Sequence, residues 1–167
     1  MKNIILIGMP GAGKSTIGVL LAKSLLMDFC DTDLLIQKRF SFSLCELIAR
    51  QGVDGFIKSE GEVLASTQLE NCVIATGGSA VYSTGAMKKL GQNAVTVYLK
   101  VGVSELERRV NNIHTRGIAM PEGMSIAELY EERAPLYEAL ADITVTCENL
   151  TAEQCVDLIS GQLGQSH

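Results

Sequence analysis

No stretch of this 167-residue sequence comes near the ~18 consecutive apolar residues that a membrane span requires. No basic segment leads into an apolar one with a small-residue cleavage site, so a cytoplasmic, unsecreted protein is expected. No C-x-x-C pair occurs. The five cysteines (Cys30, Cys45, Cys72, Cys147 and Cys155) are an odd, scattered set, which reads as reduced and mostly buried thiols and argues against a disulfide framework, a metal site or a redox pair. Positive charge is not in excess: 14 Lys and Arg stand against 19 Asp and Glu, a net charge of −5 and a pI near 5.0. Nucleic acid is therefore not the expected partner. An anionic substrate has to be met by local cations and not by the field of the whole molecule. Internal repeats, low-complexity tracts and interdomain linkers are also missing, so the expectation is one domain over 1–167, long enough for a sizeable core. The hydrophobic fraction of 47% and charged fraction of 20% are ordinary for a globular chain.

What is present is concentrated near the start. Gly8-Met9-Pro10-Gly11-Ala12-Gly13-Lys14-Ser15-Thr16 reads G-x-x-x-x-G-K-[ST], the phosphate-binding loop. Ile4-Ile5-Leu6-Ile7 before it is a β-branched apolar run of the buried-strand kind. Leu20, Leu21, Ala22, Leu25 and Leu26 after it fall at helical spacing. Strand, glycine loop and helix thus come in the order this loop needs. Triphosphate oxygens require many donors and no bulk in the way. Glycines let the backbone N–H groups turn inward, and the helix N-terminus adds its positive end. Lys14 would reach the β- and γ-phosphates and the Ser15 hydroxyl would ligate Mg²⁺.

Along the rest of the chain, short apolar strands alternate with helical stretches, the pattern of an α/β protein with a mostly parallel sheet. Strands are expected at Met27–Cys30, Cys72–Thr76, Ala94–Leu99 and Ile143–Thr146. Helices are expected at Leu34–Phe40, Leu44–Gln51, Phe56–Leu69, Ser83–Leu90, Ser104–Asn111, Ser125 to about Ala139, and Ala152–Leu163. Ser43 with Glu46, and Ser125 with Glu128, are capping boxes. Gly52 should end one helix and Pro135 should bend or divide another. Gly164 onward is expected to fray. Residues 112–124 carry no apolar period, contain two glycines and a proline, and form a long loop of the kind that is usually functional or disordered.

Three constellations carry chemistry. Asp31 and Asp33 follow the second strand, and ligands of open parallel sheets sit beyond the carboxyl ends of the strands. Two carboxylates beside a triphosphate can anchor Mg²⁺ and orient an acceptor hydroxyl; equally, either can simply cap the helix at Leu34. Thr76-Gly77-Gly78-Ser79 follows a buried strand and allows close backbone approach to a ligand, or makes a tight turn and nothing more. Arg109, Arg116 and Arg133 have the planar fork suited to phosphate and carboxylate, and Arg116 on the long loop has the look of a lid residue; a solvated surface charge is the alternative for each. His114 in the same loop reads as a surface residue, because phosphoryl transfer depends on positioning more than on a histidine base.

With these pieces in place, the sequence resembles the shikimate kinase family of small P-loop kinases over nearly its full length. The likeness is carried by the loop at Gly8 to Ser15, by Asp31-Thr32-Asp33, by Ile74-Ala75-Thr76-Gly77-Gly78, and by Arg133-Ala134-Pro135-Leu136-Tyr137 followed by Ala141-Asp142. The resemblance implies a three-layer α/β/α P-loop fold with a five-stranded parallel sheet, substrate-binding helices over about 33–61 and a lid over about 112–124. It implies ATP and Mg²⁺ as cofactors, a small hydroxy acid as the partner, and a monomer. By matching position it implies that Gly11, Ala12, Gly13, Lys14, Ser15 and Thr16 hold ATP phosphates, with Arg109 near adenine. Ser15 and Asp31 would serve Mg²⁺, Asp33 would take the acceptor hydroxyl as candidate base, Gly77, Gly78 and Arg133 would hold the acceptor, and Arg116 would lie near the γ-phosphate. Lys14, Asp33 and Arg116 form the implied catalytic set.

Three positions depart from the family pattern. Phe56-Ile57-Lys58-Ser59-Glu60 stands where the family has F-R-x-x-E, so Ile57 occupies the place of an arginine that clamps the acceptor carboxylate. Lys58, one residue on, is turned about 100° around the helix and lacks the guanidinium fork. Ser79 replaces a third glycine, and Gly117-Ile118-Ala119-Met120 follows Arg116 in place of P-L-L. The expected activity is phosphorylation of a hydroxyl on shikimate. The alternatives are a kinase of another hydroxy acid such as gluconate, and a nucleotide-dependent binding module without transfer.

Overall fold

A computed structural model of the chain describes residues 2–110 and 117–165. Five parallel strands form one sheet: β1 (Asn3–Ile7), β2 (Asp28–Asp31), β3 (Cys72–Ala75), β4 (Ala94–Lys100) and β5 (Ile143–Thr146). Their order across the sheet is β2-β3-β1-β4-β5. The central position of β1 explains its composition. It pairs with β3 through Ile5 opposite Ile74 and with β4 through Ile5 opposite Thr96, and all five of its residues are buried. A parallel strand covered by helices on both faces has no solvent side, so an unbroken apolar run suits it better than alternation. The edge strands β2 and β5 are only partly buried, and their sequences are correspondingly more polar.

The helices described are α1 (Lys14–Leu25), α2 (Thr32–Phe40), α3 (Leu44–Ser66), α4 (Thr84–Leu90), α5 (Val103–Arg109), α6 (Ile126–Leu140) and α7 (Ala152–Gln165), with a 3₁₀ turn at Gly78–Tyr82. α1 packs against β3, β2 and α7, whereas α3 packs against α4 and α2, and α6 against α5 and β4. A main core runs from Ile5 and Leu6 through Leu64, Val97 and Tyr137. A second cluster of Ile36, Leu47, Phe56, Val63 and Ala119 joins α2 and α3 to the segment that follows residue 116.

Both capping boxes form. The Ser43 hydroxyl oxygen accepts from the Glu46 N–H while Glu46 accepts from the Ser43 N–H, and Ser125 with Glu128 repeats the arrangement. Gly52 interrupts α3 with φ 72° and ψ 173°, so the two expected helices abut there and nearly merge. One expectation is narrowed and one needs correction. Pro135 does not divide α6, which continues from Ile126 to Leu140. The hydrogen bond that a proline removes would have gone to the carbonyl four residues earlier, at Glu131. Both residues lie on the exposed face, where water can serve that carbonyl. Gly164 likewise does not end α7, which runs on to Gln165.

Candidate functional site

β1 and β3 lie side by side but send the chain to opposite halves of the sheet, β1 toward β2 and β3 toward β4. A crevice opens beyond the carboxyl ends of two strands that diverge in this way. The main cleft of the molecule, about 620 Å³, lies there and is lined by the phosphate loop, Asp33, Thr76 to Ser79, Arg109, Gly117 to Ala119 and Arg133.

The loop has the backbone its sequence requires. Gly8, Gly11 and Gly13 have φ of 148°, 82° and 91°, in the range that side chains rarely tolerate. A Cβ on Gly11 would also come within 2.6 Å of the Val110 methyl group. Lys14 caps the loop from inside, its Nζ donating to the carbonyls of Gly8 at 2.7 Å and Met9 at 2.8 Å. Burial lowers its pKa to about 8, with Asp33 pulling the other way and Arg133 adding to the fall. Gly11, Gly13, Ser15 and Thr16 line the same cleft, whereas Ala12 is fully buried behind it and faces a smaller cavity that it shares with Arg109. Arg109 donates to the Gly11 carbonyl at 3.2 Å and pairs with Glu105, which ties α5 to the loop.

Asp31 does two things. One carboxylate oxygen accepts the Ser15 hydroxyl at 2.6 Å, and the other accepts the Asp33 N–H at 3.0 Å and so caps α2. The capping alternative and the site alternative therefore coexist in one side chain. Ser15 and Asp31 present adjacent hard oxygen donors, the kind that suits Mg²⁺. Asp33 turns into the cleft. Burial and the neighbouring Asp31 charge raise its pKa to about 6, opposed by Lys14.

Gly77 and Gly78 sit where the chain leaves β3. A Cβ on Gly77 would lie 2.5 Å from Glu60 Oε1 and 2.9 Å from Asp33 Oδ1, so two carboxyl groups crowd the same point. A Cβ on Gly78 would lie 2.9 Å from the Arg133 guanidinium. Arg133 is almost fully buried. It donates to the Ala119 carbonyl at 2.5 Å and to the Tyr82 hydroxyl at 3.2 Å, and it lies over the Tyr82 ring. Tyr137, one helical turn further along α6, donates to the Gly78 carbonyl at 2.6 Å.

The cleft thus gathers Gly11, Gly13, Lys14, Ser15, Thr16, Asp33, Gly77, Gly78, Arg109 and Arg133, with Asp31 joined through Ser15. Arg116 and His114 lie outside the described residues. Of the expected lid, Gly117 to Ala119 roof the cleft. Gly117 has φ 65° and sits so close to Leu44 that a Cβ would approach the Leu44 Cβ to 2.6 Å. Ile57 is half-buried on α3 and does not line the cleft; Lys58 is exposed and does not line it either.

Sequence reasoning missed the role of Glu60. It is fully buried, with Oε2 accepting the Ser79 hydroxyl at 2.5 Å and Oε1 without a partner. Burial raises its pKa to about 7, while the Ser79 bond and the Arg133 and Lys14 charges oppose the shift. The signal was present: Glu60 shares a helical face with Phe56, Val63 and Leu64, an acid on an apolar stripe.

Comparison with known proteins points one way. The family model described as shikimate kinase matches residues 10–163. A shikimate kinase of Francisella tularensis subsp. novicida is 36% identical over 163 residues, covering 95% of this chain and 93% of that relative. Among solved structures, the shikimate kinase of Acinetobacter baumannii in complex with shikimate has a TM-score of 0.91 at 28% identity, covering 99% of this chain and 94% of the other. The shikimate kinase of Aquifex aeolicus has a TM-score of 0.83 at 32% identity, with 98% and 97% covered.

Proposed function

The chain belongs to the shikimate kinase family, and from that premise we propose that it transfers the terminal phosphoryl group of ATP to a hydroxyl of shikimate. One observation carries the proposal: a phosphate loop, a half-buried carboxylate and a buried guanidinium face one cleft, at Lys14, Asp33 and Arg133. Phosphoryl transfer asks a protein mainly to hold two reactants in line and to neutralise charge.

The loop amides and Lys14 grip the nucleotide's phosphates, with Ser15 and Thr16 at the start of α1 and Arg109 beside the adenine. Asp33 accepts the proton side of the acceptor hydroxyl and orients its oxygen for attack. Gly77 and Gly78 let the acceptor lie against backbone, and Arg133 pairs with its carboxylate. Arg116 completes the catalytic set from the segment 112–124, which acts as the lid. Mg²⁺, held by Ser15 and Asp31, supplies neutralisation of phosphate charge when bound.

Ile57 favours a second reading. Of the described cations lining the cleft, Arg133 is the one that stands against Gly78. A different hydroxy acid, such as gluconate, is then the alternative acceptor. No helix is long and apolar enough to cross a membrane among the described residues, and we read the protein as a cytoplasmic, monomeric, single-domain kinase over 1–167 with its acceptor region at about 33–61.

The test is ADP release with and without acceptor. Shikimate should stimulate it at millimolar concentration or below. Stimulation by gluconate and not by shikimate would shift the acceptor. Nucleotide binding without stimulation by any hydroxy acid in a panel would reduce the protein to a binding module.

A further inference from the structure

Glu105 is a buried carboxylate that does not line the main cleft, and no part of the transfer described above rests on it. It lies in the first turn of α5, four residues before Arg109. Its two oxygens are committed to different elements. Oε1 accepts from the Arg109 guanidinium on its own helix. Oε2 accepts the Asn149 N–H at 3.0 Å, from the turn between β5 and α7. These bonds, Asn149 first and then Arg109, hold the Glu105 carboxyl below the usual carboxylate range, so both are made to an ionised acceptor. Both also border one space. A cavity of about 200 Å³ adjoins the main cleft, and Gly13, Thr16 and Arg109 line the two in common. Leu150 of the turn and Ala152 of α7 line the cavity as well.

Each of these linings needs an anchor. A long arginine side chain loses rotamer freedom when it is fixed. Nη1 of Arg109 donates to the Gly11 carbonyl at 3.2 Å and Nη2 donates to Glu105. Guanidinium N–H groups lie in the plane of the group, so the two bonds set that plane and leave its face uncommitted. The turn is pinned on either side of Asn149. The Cys147 N–H donates to the Lys100 carbonyl at 2.8 Å, and Thr151 and Gln154 cap the start of α7 for each other. Between these anchors Asn149 takes a left-handed φ of 57°, and Glu105 receives its N–H. We propose that Glu105 is a positioning residue for the nucleotide base: one carboxylate sets the plane of Arg109 and the place of the Asn149 turn, so that the two line the cavity at a fixed separation. The inference rests on the kinase reading above, which puts ATP on the phosphate loop and Arg109 beside its base. A purine is a flat, uncharged ring system. It stacks on a guanidinium plane, and Leu150 and Ala152 offer it apolar contact.

The experiment compares wild type, Glu105→Gln, Arg109→Ala and the double variant. Glu105→Gln is isosteric, so the fold is retained. An amide has one accepting end and one donating end. It therefore serves Arg109 or Asn149 and turns a donor on the other. Calorimetry with Mg²⁺ present should find ADP bound about fivefold to thirtyfold more weakly by Glu105→Gln than by wild type. Inorganic tripolyphosphate, which has phosphates and no base, should bind within twofold of wild type. KM for ATP should rise by a factor similar to that for ADP, with KM for shikimate within twofold. In the Arg109→Ala background the amide is free to serve Asn149, and Glu105→Gln should change ADP affinity by less than twofold. An ADP affinity within twofold of wild type in Glu105→Gln overturns the inference. Equal weakening of ADP and tripolyphosphate also overturns it, because the effect then passes through the phosphate loop and not through the base. Absence of shikimate-dependent turnover in wild type overturns the kinase reading alone, and the ADP and tripolyphosphate titrations still decide the role of Glu105. A wild type that binds no ADP overturns both.

Discussion

Alanine at Gly77 isolates the acceptor half of the site from the nucleotide half. The backbone there has φ −64° and ψ 155°, which any residue adopts, so the substitution brings no backbone strain. Its whole effect is steric. The new methyl would stand 2.5 Å from Glu60 Oε1 and 2.9 Å from Asp33 Oδ1, whereas ordinary contact begins near 3.4 Å. Both carboxyl groups must retreat by several tenths of an ångström to about 1 Å, and neither is free to do so. Glu60 is anchored by Ser79, and Asp33 is half-buried in the wall of the cleft. Overpacking of this kind costs about 1–3 kcal/mol of stability, or about 2–12 °C of melting temperature for a chain of this length. Misplacement of a reacting group by about 1 Å can cost ~10²-fold in rate. Gly77→Ala should therefore lower kcat/KM for the acceptor by about 30- to 100-fold, a loss of about 2–3 kcal/mol in transition-state stabilisation. ATP affinity by calorimetry should stay within twofold, because the atoms that the new methyl meets, on Glu60 and Asp33, do not belong to the loop Gly8 to Thr16. Steady-state ADP release at varied acceptor is the assay. An acceptor kcat/KM within threefold of wild type, or an equal fall in ATP affinity, would refute the assignment of Gly77 to the acceptor.

Three further outcomes are expected. Asp33→Asn should reduce turnover by at least 10²-fold while calorimetry finds nucleotide binding intact, since a positioned base contributes on the order of 10²–10⁴; retained turnover removes Asp33 from the chemistry. Glu60 titrates at about 7 in the fold against 4.5 ordinarily, so its burial favours the protonated form, and the stability this gives is complete below 4.5 and lost as pH rises through 7. Glu60→Gln cannot ionise and should gain in melting temperature relative to wild type across that window; a constant difference between pH 4.5 and 7.5 contradicts the burial argument. Gly161 lies exposed within α7, where an added Cβ meets nothing within 4 Å. Gly161→Ala should stabilise by about 0.5–1 kcal/mol, seen as about 1–4 °C in thermal unfolding, and a loss of stability would show that α7 is not helical there.

The elements of the fold that sequence revealed are those whose causes are local. The phosphate loop, the apolar β1 and the two capping boxes each depend on residues within seven positions of one another, and each forms as the spacing implies. The failures were also local rules, applied where tertiary position overrides them. A proline breaks a helix when the carbonyl it orphans has no other partner, and the exposed outer face of α6 leaves that carbonyl open to solvent. Gly164 lowers helix propensity, yet α7 is already held by β5 and α1. At the site, Lys14, Asp33 and Arg133 were legible because their motifs are short. The Glu60–Ser79 pair was not, because it joins residues 19 positions apart through a helix and a turn whose packing no periodicity encodes.

Ile57 and Ser79 then have to be considered together. An arginine at position 57 would stand one turn before Glu60 on the same helix face, able to pair with a carboxylate from below the cleft. Isoleucine has no donor, and leaving a buried carboxyl group without a partner is costly. A glycine at position 79 could not repair this, whereas serine can, and its hydroxyl is found on Glu60. The two departures therefore compensate within one contact, but only in part. Serine supplies a hydrogen bond to Glu60 and not a positive charge, and the cations that act on Glu60 are Arg133 and Lys14.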